Sequence, residues 1–232
     1  MKKRTAFIGA ILSLLPLGQP LFIKTGLFLS TYGLMLAGSE KIYAGDNSYY
    51  FNSAYDKGEK GDHYGAISDY TKAIEINPND SMAYFNRGWN KDEIQDYYGA
   101  ISDYTKAIEI NPQYYKAYYN RALAKYNLKD NYGAISDYTK AIEINPQQEG
   151  VYYNRGLAKF QLKDYYGAIS DYTKAIEINP QYGKAYNNRG LAKRKIGDDK
   201  GGCDDYKKAI SVGNKETENW FKTDGADWCR YM

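Results

Sequence analysis

The chain has 232 residues, 31 basic and 28 acidic side chains, a net charge of +3, one histidine and two cysteines. Five of the bases and one acid lie before Gly45, so the remaining body is close to neutral and lacks the basic footprint that nucleic-acid binding requires. One histidine and two late cysteines are too few for a structural zinc set. With no Gly-rich phosphate loop and no Gly-x-Ser-x-Gly elbow, neither a metal, a cofactor nor an enzymatic activity is expected.

Residues 1–44 differ in kind from the rest. Met1-Lys-Lys-Arg is followed by an apolar stretch from Ala6 to Leu17, broken at Pro16, and by a second apolar run from Gly26 to Gly38. Ile42-Tyr43-Ala44 then offers a small residue for processing. A basic start, an apolar stretch and a small-residue site make an export signal. A membrane anchor through residues 6–38 is the competing reading. Pro16, Pro20 and Lys24 interrupt any single span of about 20 residues and favour cleavage. Either reading places the rest of the chain outside the cytosol: in the periplasm, a thylakoid lumen or the extracellular space, or held at a membrane.

From 45 onward the chain repeats itself. The block Tyr-Gly-Ala-Ile-Ser-Asp-Tyr-Thr-Lys-Ala-Ile-Glu-Ile-Asn-Pro occurs unchanged at 64–78, 98–112, 132–146 and 166–180, each copy 34 residues after the last. A worn fifth copy runs from Lys200 to Asn214, where Asp205, Tyr206, Lys208, Ala209 and Ile210 survive. The domain 45–214 therefore divides into units near 47–80, 81–114, 115–148, 149–182 and 183–216. A fixed period of this length means stacked supersecondary units, with no single active-site cleft.

Within a unit, Tyr97, Ala100, Ile101, Tyr104, Ala107 and Ile108 recur at helical spacing and line one face. Asp62, Asp96, Asp130 and Asp164 precede these runs as N-caps, and an Asn-Pro pair closes each, because proline cannot continue a helix. A second amphipathic stretch lies upstream, so each unit reads as helix, turn, helix. Small residues (Gly88, Ala122, Gly156 and Gly190 on the first helix; Ala66, Ala100, Ala134 and Ala168 on the second) alternate with bulky ones. The bulky set is Tyr50, Tyr84, Tyr118, Tyr152 and Tyr186 with Tyr70, Tyr104, Tyr138, Tyr172 and Tyr206, and such alternation lets layers interdigitate.

The spacing of these aromatics, the small residues and the closing proline resemble the tetratricopeptide repeat, over roughly Asn47 to Asn214. The Asn-Arg-Gly/Ala and Asp-Tyr-x-Lys-Ala-Ile flavour is similar to repeat proteins abundant in bacteria, particularly cyanobacteria. The resemblance implies an all-α, right-handed α-solenoid whose first helices line a concave groove for a peptide or protein. Off-framework residues would then carry the partner. One row holds Phe51, Phe85, Tyr119 and Tyr153, breaking to Asn187; a second holds Tyr55 and Trp89, then Leu123, Leu157 and Leu191; Tyr126 and Phe160 form a third. Asn52, Asn86, Asn120, Asn154 and Asn188 make a ladder of amides suited to a peptide backbone. The alternative is that these amides and rings satisfy neighbouring repeats internally. Lys116 and Lys184 lie at the groove edge, with Glu59, Asp92 and Glu93 toward one end and Arg194 and Lys195 toward the other.

The last unit departs from the pattern. Gly202-Cys203 replaces Ala-Ile, and Gly213-Asn214 replaces Asn-Pro; Trp220 falls 34 residues beyond Tyr186, so 215–232 reads as a cap and tail. Cys203 and Cys229 can form a disulfide that pins the tail in an exported protein. One buried and one free thiol is the other reading.

The remaining chemistry-bearing residues read as structural. His63 stands where Tyr97 and Tyr165 stand in sister units and is expected to be a packing or surface variant. Asp69, Asp103, Asp137, Asp171 and Asp205 share one register, Arg87, Arg121, Arg155 and Arg189 another, with Ser53 in the first unit. They are expected to form a ladder of ion pairs that holds register. The framework tyrosines and those at the starts of the second helices, Tyr64, Tyr97, Tyr98, Tyr132, Tyr165 and Tyr166, read as a repeated packing motif. The expected function is a non-enzymatic interaction scaffold; the alternative is an assembly factor for a membrane complex, photosynthetic if the cyanobacterial likeness holds.

Overall fold

A computed structural model describes residues 47–223 and 227–230. The export or anchor segment expected in 1–44 lies outside the described residues. The described residues are helical throughout: α1 (47–59), α2 (His63–Ile76), α3 (Ser81–Glu93), α4 (Tyr97–Ile110), α5 (Tyr115–Asn127), α6 (Asn131–Ile144), α7 (Glu149–Gln161), α8 (Tyr165–Ile178), α9 (Gly183–Lys195), α10 (Asp199–Ser211), α11 (Lys215–Thr223) and the short α12 (Asp227–Arg230). From α2 to α11 each pairs most closely with its sequence neighbours, and α3, α5 and α7 also touch one another in succession. The first helices of the repeats thus form one layer and the second helices another. Among the described residues no helix is long and apolar enough to cross a membrane.

The caps explain the invariant start of the second helices. Asp62, Asp96, Asp130, Asp164 and Asp198 each accept a hydrogen bond from the backbone N–H three residues on, at 2.9–3.0 Å, satisfying an otherwise orphaned donor. That residue is glycine in every copy because a Cβ there would collide with the capping carboxylate. At the other end Asn77, Asn111, Asn145 and Asn179 leave the helix with extended φ of −126 to −136° ahead of proline.

Packing follows the large–small alternation. Tyr70, Tyr104, Tyr138 and Tyr172 are fully buried, each worth about 2–3 kcal/mol of burial for a side chain of this size. Their rings lie against the small residues of the facing helix: a Cβ at Gly156 would sit 2.7 Å from the Tyr172 ring. One expectation is corrected. Tyr64, Tyr98, Tyr132 and Tyr166 are 73–77% exposed and take no part in packing. They follow the cap on the outer side of the helix, whereas Tyr165 meets Phe160 edge-on at 5.3 Å.

The C-terminal departures build a lock. α11 sits where a sixth first helix would begin, with Trp220 stacked on Tyr206 at 4.9 Å and Thr217 donating to Asn187 at 2.8 Å. The tail goes further than a single cap: α12 folds back on α10, Cys203 and Cys229 are joined in a buried disulfide, and the Arg194 guanidinium lies 4.2 Å over Trp228. Gly202 is required there, since a Cβ would meet Arg194 Cγ at 2.7 Å.

Candidate functional site

The carboxylates and guanidiniums are absorbed by the frame. Arg87 donates to Asp103 through Nε at 2.9 Å and Nη2 at 2.7 Å, and its Nη1 donates to Thr71 of the preceding repeat at 3.0 Å. Arg121 repeats this with Asp137 and Thr105. A lysine one turn on, Lys91 or Lys125, closes on the same carboxylate at 2.8 Å. The threonine and lysine partners were not foreseen, although both recur at the 34-residue stride. In the first repeat Ser53 and Lys57 hold Asp69; burial works to lift that carboxyl, yet their hydrogen bonds outweigh it and keep it below its ordinary value. Of the two readings of His63, packing holds: it lies edge-on to Trp89 at 6.0 Å and is paired with buried Asn90 at 3.0 Å.

What the frame leaves over is a groove along α1, α3, α5 and α7. Two adjoining pockets open there. One, of about 270 Å³, is lined by Tyr55, Gly58, Glu59, Tyr70, Phe85, Asn86, Trp89, Asn90, Lys116 and Asn120. The other, of about 300 Å³, is lined by Phe85, Tyr115, Lys116, Tyr119, Asn120, Gln148, Gly150 and Val151. Phe85, Lys116 and Asn120 belong to both. Lys116 is exposed.

Eight of the groove residues singled out by sequence meet here: Tyr55, Glu59, Phe85, Asn86, Trp89, Lys116, Tyr119 and Asn120. Others are drawn inward. Phe51 lies edge-on to Tyr70 at 5.4 Å, Tyr126 joins the core around Tyr138, and Tyr153 is held between Tyr172 and Tyr182. Asn154 donates to the Tyr119 hydroxyl and Asn188 to that of Tyr153, both at 2.9 Å, so these two rungs of the amide ladder fasten one repeat to the last. Asn52 reaches Ser48 at 3.5 Å. Arg194 is turned onto the tail.

Gln148, Gly150 and Val151 were missed. The signal was present in the sequence, because Gln148-Glu149-Gly150-Val151 breaks the Tyr-x-Lys-Ala pattern of Tyr114 to Ala117 and Tyr182 to Ala185.

Burial dominates the electrostatics of the groove floor. It pushes the Tyr70 hydroxyl up to about 12, with the Asn86 amide pulling the other way, and raises Tyr119 against the pull of Asn154. Asp92 is the outlier. It stands where the third and fourth repeats carry Tyr126 and Phe160. Its Oδ2 accepts from the Tyr104 hydroxyl at 3.1 Å and its Oδ1 has no partner. Burial lifts its carboxyl to about 6.

Helix pairs stacked in register, a small–large framework and a groove on the first helices define an α-helical repeat protein. Tetratricopeptide-repeat family models match residues 48–80, 69–97, 115–148 and 151–182, and the chain belongs to that family. Among solved structures it is similar to a MamA protein, at 27% identity over 75% of this chain and 96% of that one, with a TM-score of 0.71. MamA from Desulfovibrio magneticus RS-1 shares the fold at 18% identity, over 74% of this chain and 97% of that one, with a TM-score of 0.70. YrrB, described as a repeat protein with an unusual peptide-binding site, shares it at 19% identity, over 71% and 85%, with a TM-score of 0.64. No curated protein matches the chain.

Proposed function

We propose that the chain is a non-enzymatic scaffold that holds an extended segment of a partner protein in the groove bordered by α1, α3, α5 and α7. One observation carries this reading: two adjoining pockets share Phe85, Lys116 and Asn120, while the Arg87 and Arg121 guanidiniums of the same helices are taken up by Asp103 and Asp137. Rigid aromatic walls supply contact area at low entropic cost, and the amides of Asn86 and Asn120 match a peptide backbone. The peptide-binding site described for YrrB is on the same fold and agrees with this class of ligand. Glu59 and Glu93 at one end favour a ligand whose basic part lies over the first two repeats; exposed charges of this kind orient more than they bind.

The test is capture of partners from native extract, membrane fraction included, followed by affinity measurement with variants. Trp89→Ala and Tyr119→Ala should each cost about 1–3 kcal/mol in binding with helicity unchanged. A partner indifferent to both, yet lost on changing the exposed Tyr98 and Tyr132, would place binding on the opposite face. Enrichment of one membrane complex would narrow the scaffold to an assembly factor.

A further inference from the structure

The aromatics that follow the framework tyrosines on the first helices repeat a stack. Phe85 lies against Tyr114 at 4.9 Å and Tyr153 against Tyr182 at 5.0 Å between ring centroids, each pair 29 residues apart. The same step from Phe51 leads to Asp80, and from Tyr119 to Gln148. All four partner positions are N-caps of first helices. Asp80 spends its carboxylate on the N–H groups of Met82 and Ala83, both at 3.0 Å. Tyr114 and Tyr182 make no side-chain cap bond and contribute a ring instead. Gln148 neither caps its helix nor supplies a ring.

At Gln148, beside Tyr119, the pocket of about 300 Å³ opens. Tyr119 borders it in the place that Phe85 holds beneath Tyr114. Gly150 stands where the sister helices carry Lys116 and Lys184, which removes a long side chain from the entrance, and Val151 replaces the alanine of Ala117 and Ala185. Two of the four places in this row are covered by a tyrosine ring; of the other two, Asp80 is tied into its own helix cap, and the place at Gln148 borders the pocket, with a lysine, Lys116, also on its lining.

We propose that this notch takes an aromatic side chain of tyrosine size from an extended segment of the partner, stacked on Tyr119 as Tyr114 stacks on Phe85. The inference rests on the groove reading above and narrows it: the ligand class is a peptide with an aromatic anchor. The backbone frame around the notch is the one that already holds Tyr114 and Tyr182 two repeats apart, so the protein carries its own template for the occupant. Offset aromatic contact and the Lys116 ammonium both favour a ring over an aliphatic side chain.

The chain has two valines, Val151 in the notch and Val212 well away from it beside α11, so valine-methyl labelling of the full chain reports on the site with an internal control. The probe is p-cresol, the tyrosine side chain as a free molecule. Its titration should give saturable shifts at the Val151 methyls with Val212 unmoved, and cyclohexanol should shift Val151 at least fivefold less at equal concentration. Gln148→Tyr, which supplies the missing ring from within, should abolish the response, whereas Gln148→Ala should keep it within about twofold. Tyr119→Ala serves as the second variant and should weaken p-cresol at least tenfold. No saturable shift at Val151, an equal response to cyclohexanol, or an undiminished response in folded Gln148→Tyr overturns the proposal. Trp89→Ala lies outside the notch and should leave p-cresol binding intact while weakening a groove partner, so the groove reading and the notch fail separately.

Discussion

Arg155 and Asp171 meet across α7 and α8 in a two-pronged ion pair, Nε to Oδ2 at 2.9 Å and Nη2 to Oδ1 at 2.6 Å. The remaining Nη1 donates to Thr139 on α6 at 3.0 Å, so one guanidinium ties three helices and two repeats. Lys159 adds a second cation to the same carboxylate at 2.8 Å. Asp171 is 3% exposed and has no route to water that would spare it these partners.

That arrangement makes the two ends of the pair unequal. Asp171→Ala strands two cations beside the core and should cost about 3–5 kcal/mol, the range for a broken buried pair. Arg155→Ala leaves Lys159 on the carboxylate and should cost measurably less. Urea unfolding followed by circular dichroism gives both numbers; a larger loss for Arg155→Ala would show that the threonine link, and not charge, dominates the joint.

Asp92 should make stability depend on pH in the unusual direction for an acid. Its folded value of about 6 lies above the ordinary value near 4, so the folded state holds the proton more tightly. The stabilising contribution is present below about pH 4 and is lost as pH rises through 6. Asp92→Asn keeps an acceptor for Tyr104 and removes the titration, so it should be the more stable form at pH 7.5 and lose its advantage at pH 4. The unpartnered Oδ1 sets the scale at about 1–3 kcal/mol. Urea midpoints for both forms at the two pH values decide it; parallel pH profiles would assign the group no role.

Glycine to alanine inside a helix ordinarily gains about 1 kcal/mol. At Gly133 the gain should vanish, because the new Cβ displaces the Asp130 carboxylate from the cap it makes at 2.9 Å and forfeits about 1 kcal/mol of capping. In an Asp130→Ala background the same change should recover its normal benefit. A thermodynamic cycle over the four proteins measures this coupling; additive effects would refute it.

The Cys203–Cys229 bridge closes a separation of 26 residues around α11, for which the chain-entropy estimate is about 3.5 kcal/mol. Reduction should release the tail with little loss of helix, since α12 has four residues. Lifting Trp228 off Arg194 should shift tryptophan emission to the red, and a Cys203→Ser/Cys229→Ser variant should show the shifted spectrum without reductant. Unchanged emission on reduction would mean that stacking alone holds the tail.

Period and helical spacing in the sequence were enough to determine the architecture, because each repeat meets the same neighbours and one unit's pattern therefore states every interface. Asp caps, Asn-Pro stops, the Arg–Asp register and the cap near Trp220 all follow from local chemistry copied at a constant stride. The groove was only half legible. Sequence separated framework from off-framework residues, but could not say which off-framework side chains the packing consumes: Asn154 and Asn188 go to Tyr119 and Tyr153 of the preceding repeat, Phe51 goes to Tyr70 of its own repeat, and Arg194 goes to a tail that no repeat pattern covers. Nor could it separate Tyr98 from Tyr97, adjacent on one helix turn, of which only Tyr98 is fully outside. The open place beside Tyr119 depends on contacts 29 residues apart that cross from one repeat to the next. A missing ring becomes a pocket only where the packed neighbours keep their positions, and that rigidity belongs to the tertiary structure.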